Sequence, residues 1–278
     1  MLSISREYHY QPDQLKTAEP IKSKVDLNKI HNNIHVLALV LTLHISYAIT
    51  ARKTAHMLRQ IWGIKISHQT VLNYVQSAAY YCHHFNQKFK GQIDGILAGD
   101  ETYVKVQGTW HYAWIVTSSV SRKIVAYHFS DNRSVKPAIT VLLDMISNIS
   151  KNLDITLVTD GNPSYMAALH FVNAQIKTFT LTLKKVIGLK NLNAESEEFR
   201  AFKQMIEHLN RTFKYHIPGQ NGFNSVNGAI CKLVLFVTHY NFLRPHKSLN
   251  YHTPIEIPQL QSIQFIQGKW AKILQMAA

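Results

Sequence analysis

The chain reads as an α/β protein, a mixed sheet flanked by helices and preceded by a helical segment. Three observations predict this. The apolar period is helical over residues 33–80 and turns to strand-like alternation after residue 95. The run ITLVTD at 155–160 is short and almost wholly apolar, as suits a central strand buried on both faces. Helical stretches separate the later strands, giving the order βββαβαβα, the grammar of a layered α/β domain.

Each element has its own signal. Residues 1–32 are polar, carry Pro12 and Pro20, and read as an arm. Leu37, Val40, Leu41 and His44 begin a first helix, and Ala51, Ala55, Leu58 and Ile61/Trp62 share the face of a second that Gly63 stops. Ser67 is an N-cap for a third helix, whose inward stripe is Val71, Leu72, Val75 and Ala78/Ala79. Two helices joined by a glycine-containing turn form a helix-turn-helix pattern. Its second helix turns His68, Gln69, Asn73 and Gln76 outward, and Asn and Gln can pair with adenine edges in the major groove. A plain helical bundle would share this pattern.

Strand-like runs follow, GILAGDETYVKVQG, TWHYAWIVTSS and RKIVAYHFS, with turn residues between them. Helices are expected over 135–146, 163–172, 197–215 and 228–242, and strands over 155–160 and 178–183. Trp110, Tyr112 and Trp114 alternate on one strand face and read as core rather than as a base-stacking platform. Tyr81, Cys82, His83 and His84 cannot converge on one metal, because consecutive helix positions diverge by about 100°.

Composition narrows the function. In 278 residues, 46% are hydrophobic and 17% charged, which excludes a disordered chain. A formal charge of +14 points to a polyanionic partner, nucleic acid first. Residues 1–90 carry 11 basic and 4 acidic side chains, residues 201–278 carry 8 and 2, and the middle is nearly neutral. Basic ends around a carboxylate-rich centre suit a metal-dependent enzyme acting on DNA or RNA. Two cysteines, Cys82 and Cys231, exclude a disulfide scaffold and a multi-cysteine zinc site, and suit a reducing compartment. The apolar stretch 34–49 is interrupted by His35, Thr42, His44 and Ser46, so no membrane partner is expected. The N-terminus shows no signal-peptide pattern, which predicts a cytoplasmic protein.

Three carboxylates stand out. Asp100 lies within an apolar strand, where a charge must be paired or bind metal. Asp160 ends the buried strand, and Glu207 lies on the long helix. Glu207, Asn210/Arg211 and Lys214 share one helical face, with Lys214 about 10 Å along the axis from Glu207. Hard oxygen donors select Mg²⁺ or Mn²⁺, and two such ions about 3.5–4 Å apart assist in-line displacement at phosphorus.

The stretches DETYVKVQGTWHYAW (100–114), VTDGNPSY (158–165), FKQMIEHLNRTFK (202–214) and HYNFLRPHKSL (239–249) resemble those of bacterial insertion-sequence transposases of the DDE type. The resemblance covers roughly residues 35–257, in the family's order. It implies an RNase H-like, retroviral-integrase fold over 91–258, a helix-turn-helix DNA-binding domain over 33–90 and a C-terminal tail over 259–278. It implies that Asp100, Asp160 and Glu207 are the catalytic triad and the ligands of two Mg²⁺ or Mn²⁺ ions. Lys214 and Arg211 would then meet DNA near the scissile phosphate. Tyr240, Asn241, Arg244, Pro245 and His246 match a closing motif read as mainly structural, with Arg244 on phosphate.

The implied partners are terminal inverted repeats and target DNA, bound by a homodimer or a larger synaptic complex associated with the nucleoid. Forty-six residues separate Asp160 from Glu207, more than the roughly 34 common in integrase-like members, so 186–196 reads as an inserted loop. Counting by 34 would select Glu195, which lacks basic neighbours on its helical face. The cysteine-rich finger of some relatives is missing, as expected of a variant or a truncated copy. A nuclease of the same fold, an inactive copy and a helix-turn-helix regulator remain as alternatives.

Overall fold

The computed structural model describes residues 9–22, 27, 30, 32–147, 154–176, 180–188, 194–219 and 222–278. Three helices come first, α1 (Ile34–Leu41), α2 (Ala51–Trp62) and α3 (His68–Lys88), with a π turn, Thr42–Ser46, after α1. Their ends follow capping chemistry. Asn33 accepts from the amides of His35 and Val36, and Ser67 accepts from Thr70. Gly63 closes α2 at φ +66°, a left-handed turn that glycine adopts without strain. Along α3, Tyr74 rather than Leu72 joins Val71, Val75 and Ala78 on the fully buried face.

The sheet has the order β3-β2-β1-β4-β5. Strands β1 (Ile96–Val106), β2 (Thr109–Ser118) and β3 (Ile124–Ser130) form an antiparallel meander. After α4 (Val135–Ile146), strand β4 (Ile155–Thr159) pairs parallel with β1. After α5 (Pro163–Gln175), strand β5 (Leu181–Lys185) pairs parallel with β4. The two parallel strands are the ones reached through a helix, as crossover geometry requires. This is the mixed sheet flanked by helices that the sequence predicted. The expected strand over 178–183 falls partly on 178–179, outside the described residues.

One apolar core lies between the sheet and α4 and α5, built on Leu97, Trp114, Val116, Leu142 and Leu157. The other packs the opposite face against α7 (Arg200–Tyr215) and α8 (Val226–Phe242). That second core also takes in Leu37, Leu41, Leu58 and Val71, so the N-terminal helices and the sheet are packed as one body. Buried polar pairs reinforce it. Asn86 of α3 donates to the Val234 carbonyl at 3.1 Å and accepts from Thr238 at 2.9 Å. Asn241 accepts from the Ile124 amide at 2.8 Å and donates to its carbonyl at 2.9 Å, tying α8 to β3.

Two expectations change. The helix expected over 197–215 breaks at Phe199, after a short α6 (Ala194–Glu198), because the Phe199 ring is buried there. The segment read as a tail forms α9 (Pro258–Gln261) and α10 (Ile266–Ala277). In α10, Trp270, Ile273 and Leu274 are fully buried, and the Trp270 indole donates to Ser46 Oγ at 2.9 Å. The stretch Val226–Leu249 has the length and hydropathy of a membrane span, yet 78% of its window is buried inside the protein.

Trp270→Ala would remove a buried indole and its hydrogen bond. A loss of about 3–5 kcal/mol in urea unfolding is expected, whereas a dispensable tail would show no change.

Candidate active site

The sheet register sets the site. Ala98 of β1 lies opposite Val158 of β4 in parallel pairing. Two residues on in each strand stand Asp100 and Asp160, so both arrive at the same level, one at the middle of the long strand and one where the short strand ends. Neighbouring strands lie about 4.8 Å apart, and one carboxylate oxygen each from Asp100, Glu101 and Asp160 falls within 4.8 Å of the others.

Their partners come from every side. Asp100 is 13% exposed and its Oδ1 accepts from the Glu101 amide at 2.9 Å. Its Oδ2 accepts from Asn210 Nδ2 at 3.0 Å and lies 3.5 Å from Lys203 Nζ, both on α7. The same Lys203 ammonium is 3.9 Å from Glu207 Oε1, so it stands between the two acids. Glu207 is 34% exposed and lies outside the three-acid cluster. Asp160 Oδ1 accepts from the Asn162 amide at 3.1 Å, closing a turn that Gly161 permits at φ +93°.

Glu101 is buried and paired. Arg133 donates to its Oε1 through Nε at 2.7 Å and again through Nη2, and Asn162 Nδ2 donates to the same oxygen at 2.8 Å. Asn162 also caps α5 by accepting from Ser164. Glu101 Oε2, Asn210 Oδ1 and the Tyr165 hydroxyl are buried around the cluster without a partner. Buried polar atoms are nearly always satisfied, so hard oxygen donors and orphaned polar atoms together fit a site for a hydrated divalent cation.

Burial, opposed by Lys203 and reinforced by Asp160 and Glu101, pushes the Asp100 carboxyl up to about 6. Burial and the same three carboxylates raise the Tyr165 phenol well above its ordinary value.

Residues 97–228 match the model of the DDE domain family. This stretch is similar to a DDE domain and spans a little under half of the chain. Its match contains Asp100, Asp160 and Glu207. Comparison with curated proteins finds no match. Among solved structures, the magnesium complex of the HTLV-2 integrase catalytic core domain is 13% identical, with a TM-score of 0.38, covering 59% of this chain and 96% of that one. The simian T-cell lymphotropic virus intasome, in complex with PP2A regulatory subunit B56 gamma, is 14% identical at TM-score 0.38, covering 74% and 70%. The Mos1 strand transfer complex is 11% identical at TM-score 0.33, covering 94% and 81%.

Around this DDE-like region the remaining candidates are placed as follows. Arg211 and Lys214 are exposed on α7 beyond Glu207. Arg244 lines a cavity of about 290 Å³ with Tyr47, Thr212, Tyr215 and His216. Burial, with Lys232 and Arg244, lowers His216 to about 4, so the ring is neutral beside the guanidinium at pH 7. On α3, Gln69 and Asn73 are exposed and joined by a 3.0 Å hydrogen bond, and Gln76 is half-buried. Glu195 lies on α6, and its side chain is outside the described residues.

Sequence reasoning missed Glu101, Lys203, Asn162 and Arg133. The signal for Glu101 was present, since two adjacent acids in an apolar strand point to opposite faces and each needs a partner. Arg133 and Lys203 carried no signal, as nothing local says where a long cationic side chain ends.

The Asp100 shift has a testable sign. Between about pH 4 and pH 6 the folded chain holds a proton that the unfolded chain has released, so stability falls as pH rises through that window. In EDTA, Asp100→Asn is expected to stabilise the protein at pH 8 by up to about 3 kcal/mol, with the gain vanishing toward pH 4. Equal unfolding midpoints at pH 8 would show that Lys203 and Asn210 already offset the burial.

Proposed function

We propose that this protein is the transposase of a mobile DNA element. It binds the terminal inverted repeats, cuts at the 3′ ends and joins those ends to target DNA. The observation that carries this reading is the register that brings Asp100 and Asp160 level at the end of β4, with Glu207 joined to Asp100 through the Lys203 ammonium of α7. Asp100, Asp160 and Glu207 would hold two divalent cations, Mg²⁺ or Mn²⁺. When bound, these supply positive charge to the attacking and departing oxygens of an in-line displacement.

The protein's own groups do the rest. Asn210 holds the Asp100 carboxylate in a fixed orientation. Glu101 anchors Arg133 and Asn162, and so fixes the turn that carries Asp160. Divalent cations on the carboxylates would displace the Lys203 ammonium, leaving it free to meet a substrate phosphate. Arg211, Lys214 and Arg244 hold the strand backbone beyond the site, while Gln69, Asn73 and Gln76 read base edges in the repeats. Water and then the 3′-hydroxyl of the element are the nucleophiles, so no covalent protein–DNA link forms. Joining two ends calls for at least a homodimer.

Labelled DNA with the element's ends tests this in Mg²⁺, Mn²⁺ or EDTA. Asp100→Asn, Asp160→Asn and Glu207→Gln are each expected to abolish cutting and joining while DNA binding survives. Full activity in any of them contradicts the assignment, and cutting without joining favours a nuclease.

The DNA contacts have a separate signature. Alanine at Arg211, Lys214 or Arg244 is expected to weaken binding alike on all sequences and to lower the salt slope by about 1 each. Alanine at Gln69 or Asn73 is expected to erase preference for the repeats and leave the slope unchanged. A slope unmoved by any of the three basic substitutions would remove those residues from the DNA path.

A further inference from the structure

Past Asp100 the β1–β2 hairpin outruns the helices that cover it. Strand β1 has 11 residues and β4 has 5, and β4 pairs only with Ile96–Ala98. On the face covered by α4 and α5, Leu97 and Trp114 are fully buried. Further out on that face, Tyr103 stands opposite Tyr112 and Lys105 opposite Trp110. There the cover ends. Tyr103 is 44% exposed and Trp110 is 54% exposed. Tyr112 still packs, partly buried, against the core with Trp114, but Trp110 does not, because alternation fixes the face of a side chain and not how far the next layer reaches.

The three rings are organised. Tyr103 lies edge-on to Trp110, with centroids 6.1 Å apart, and to Tyr112 at 5.1 Å. The Lys105 ammonium is 5.9 Å from the Trp110 centroid. The Arg133 guanidinium sits 5.2 Å from the Tyr103 centroid and 5.8 Å from that of Tyr112. The same guanidinium holds Glu101, beside Asp100. The backbone beneath is pinned, since Phe223 donates to the Lys105 carbonyl at 2.8 Å and accepts from Gln107 at 2.9 Å. Gly222 makes that contact possible, because a Cβ there would lie 1.9 Å from the Lys105 oxygen.

We propose that Tyr103, Trp110 and Tyr112 form a stacking platform for an unpaired base of the DNA strand that enters the carboxylate site, with Lys105 and Arg133 on its phosphates. This rests on the transposase reading above. The occupant follows from chemistry on the page. Rigid aromatic faces rimmed by cations match a nucleotide, which offers a π-face and a negative charge together. A chain of net charge +14 favours a polyanion over a basic partner. Tyr103 lies three strand residues beyond Asp100, about 10 Å, within reach of the nucleotides next to the reacting one.

Two duplexes of equal length test it in Ca²⁺, one blunt and one ending in three unpaired nucleotides with 2-aminopurine among them. Wild type is expected to quench the 2-aminopurine and to prefer the tailed duplex. Trp110→Ala and Tyr103→Ala are expected to lose the quenching and to cut the tailed-over-blunt preference by about tenfold, while Trp110→Phe retains most of both. Thermal midpoints confirm that the variants fold. Quenching and preference equal to wild type in Trp110→Ala and Tyr103→Ala would overturn the platform and leave the transposase reading standing. Failure of wild type to bind either duplex would overturn both.

Discussion

The architecture depends on holding like charges together. Asp100 and Asp160 leave the sheet on adjacent parallel strands at one level, with Glu101 beside them. Two carboxylates about 4.8 Å apart repel by about 3–4 kcal/mol at an effective dielectric near 20, and burial adds to that cost. The fold answers with a buried lysine and an asparagine on α7, an arginine from the loop before α4, and an asparagine that also caps α5. Four side chains are thereby fixed around one small volume. What remains unsatisfied, three buried polar atoms and the raised Asp100, is what a divalent cation would settle.

Such tension is stable because the frame is rigid. The N-terminal helices, both faces of α8 and the C-terminal helix share one apolar core with the sheet. Trp270 reaches back 224 positions to Ser46, and Asn86 reaches forward to Val234 and Thr238. A nucleic acid gripped on α3 would therefore be referred to the carboxylates through packed side chains, not through a tether.

Much of this was legible in the sequence, for physical reasons. Strand and helix periods placed β4 and α4 within a residue or so of where they lie. The apolar run ending in Asp160 marks a central strand, and its helical neighbours set Glu207 apart from Glu195. The rest depends on distance. Arg133, Lys203 and Asn162 find the carboxylates across 32, 103 and 61 positions, and no local pattern encodes such pairings. The burial of Trp270 depends on a surface made elsewhere, and the exposure of Trp110 depends on where α4 and α5 stop. Glu207 itself stands apart from the three clustered acids, held off by Lys203, so its role is read from its helix and not from contact.

The central claim is that these carboxylates form a divalent-cation centre. Titration of the apoprotein with Mn²⁺, followed by the electron paramagnetic resonance of the free ion, tests it without any DNA. Wild type is expected to deplete the free-ion signal, Asp100→Asn and Asp160→Asn to lose that depletion, and Glu207→Gln to lose part of it. No Mn²⁺ uptake by wild type, or uptake that survives in both aspartate variants, would contradict the account.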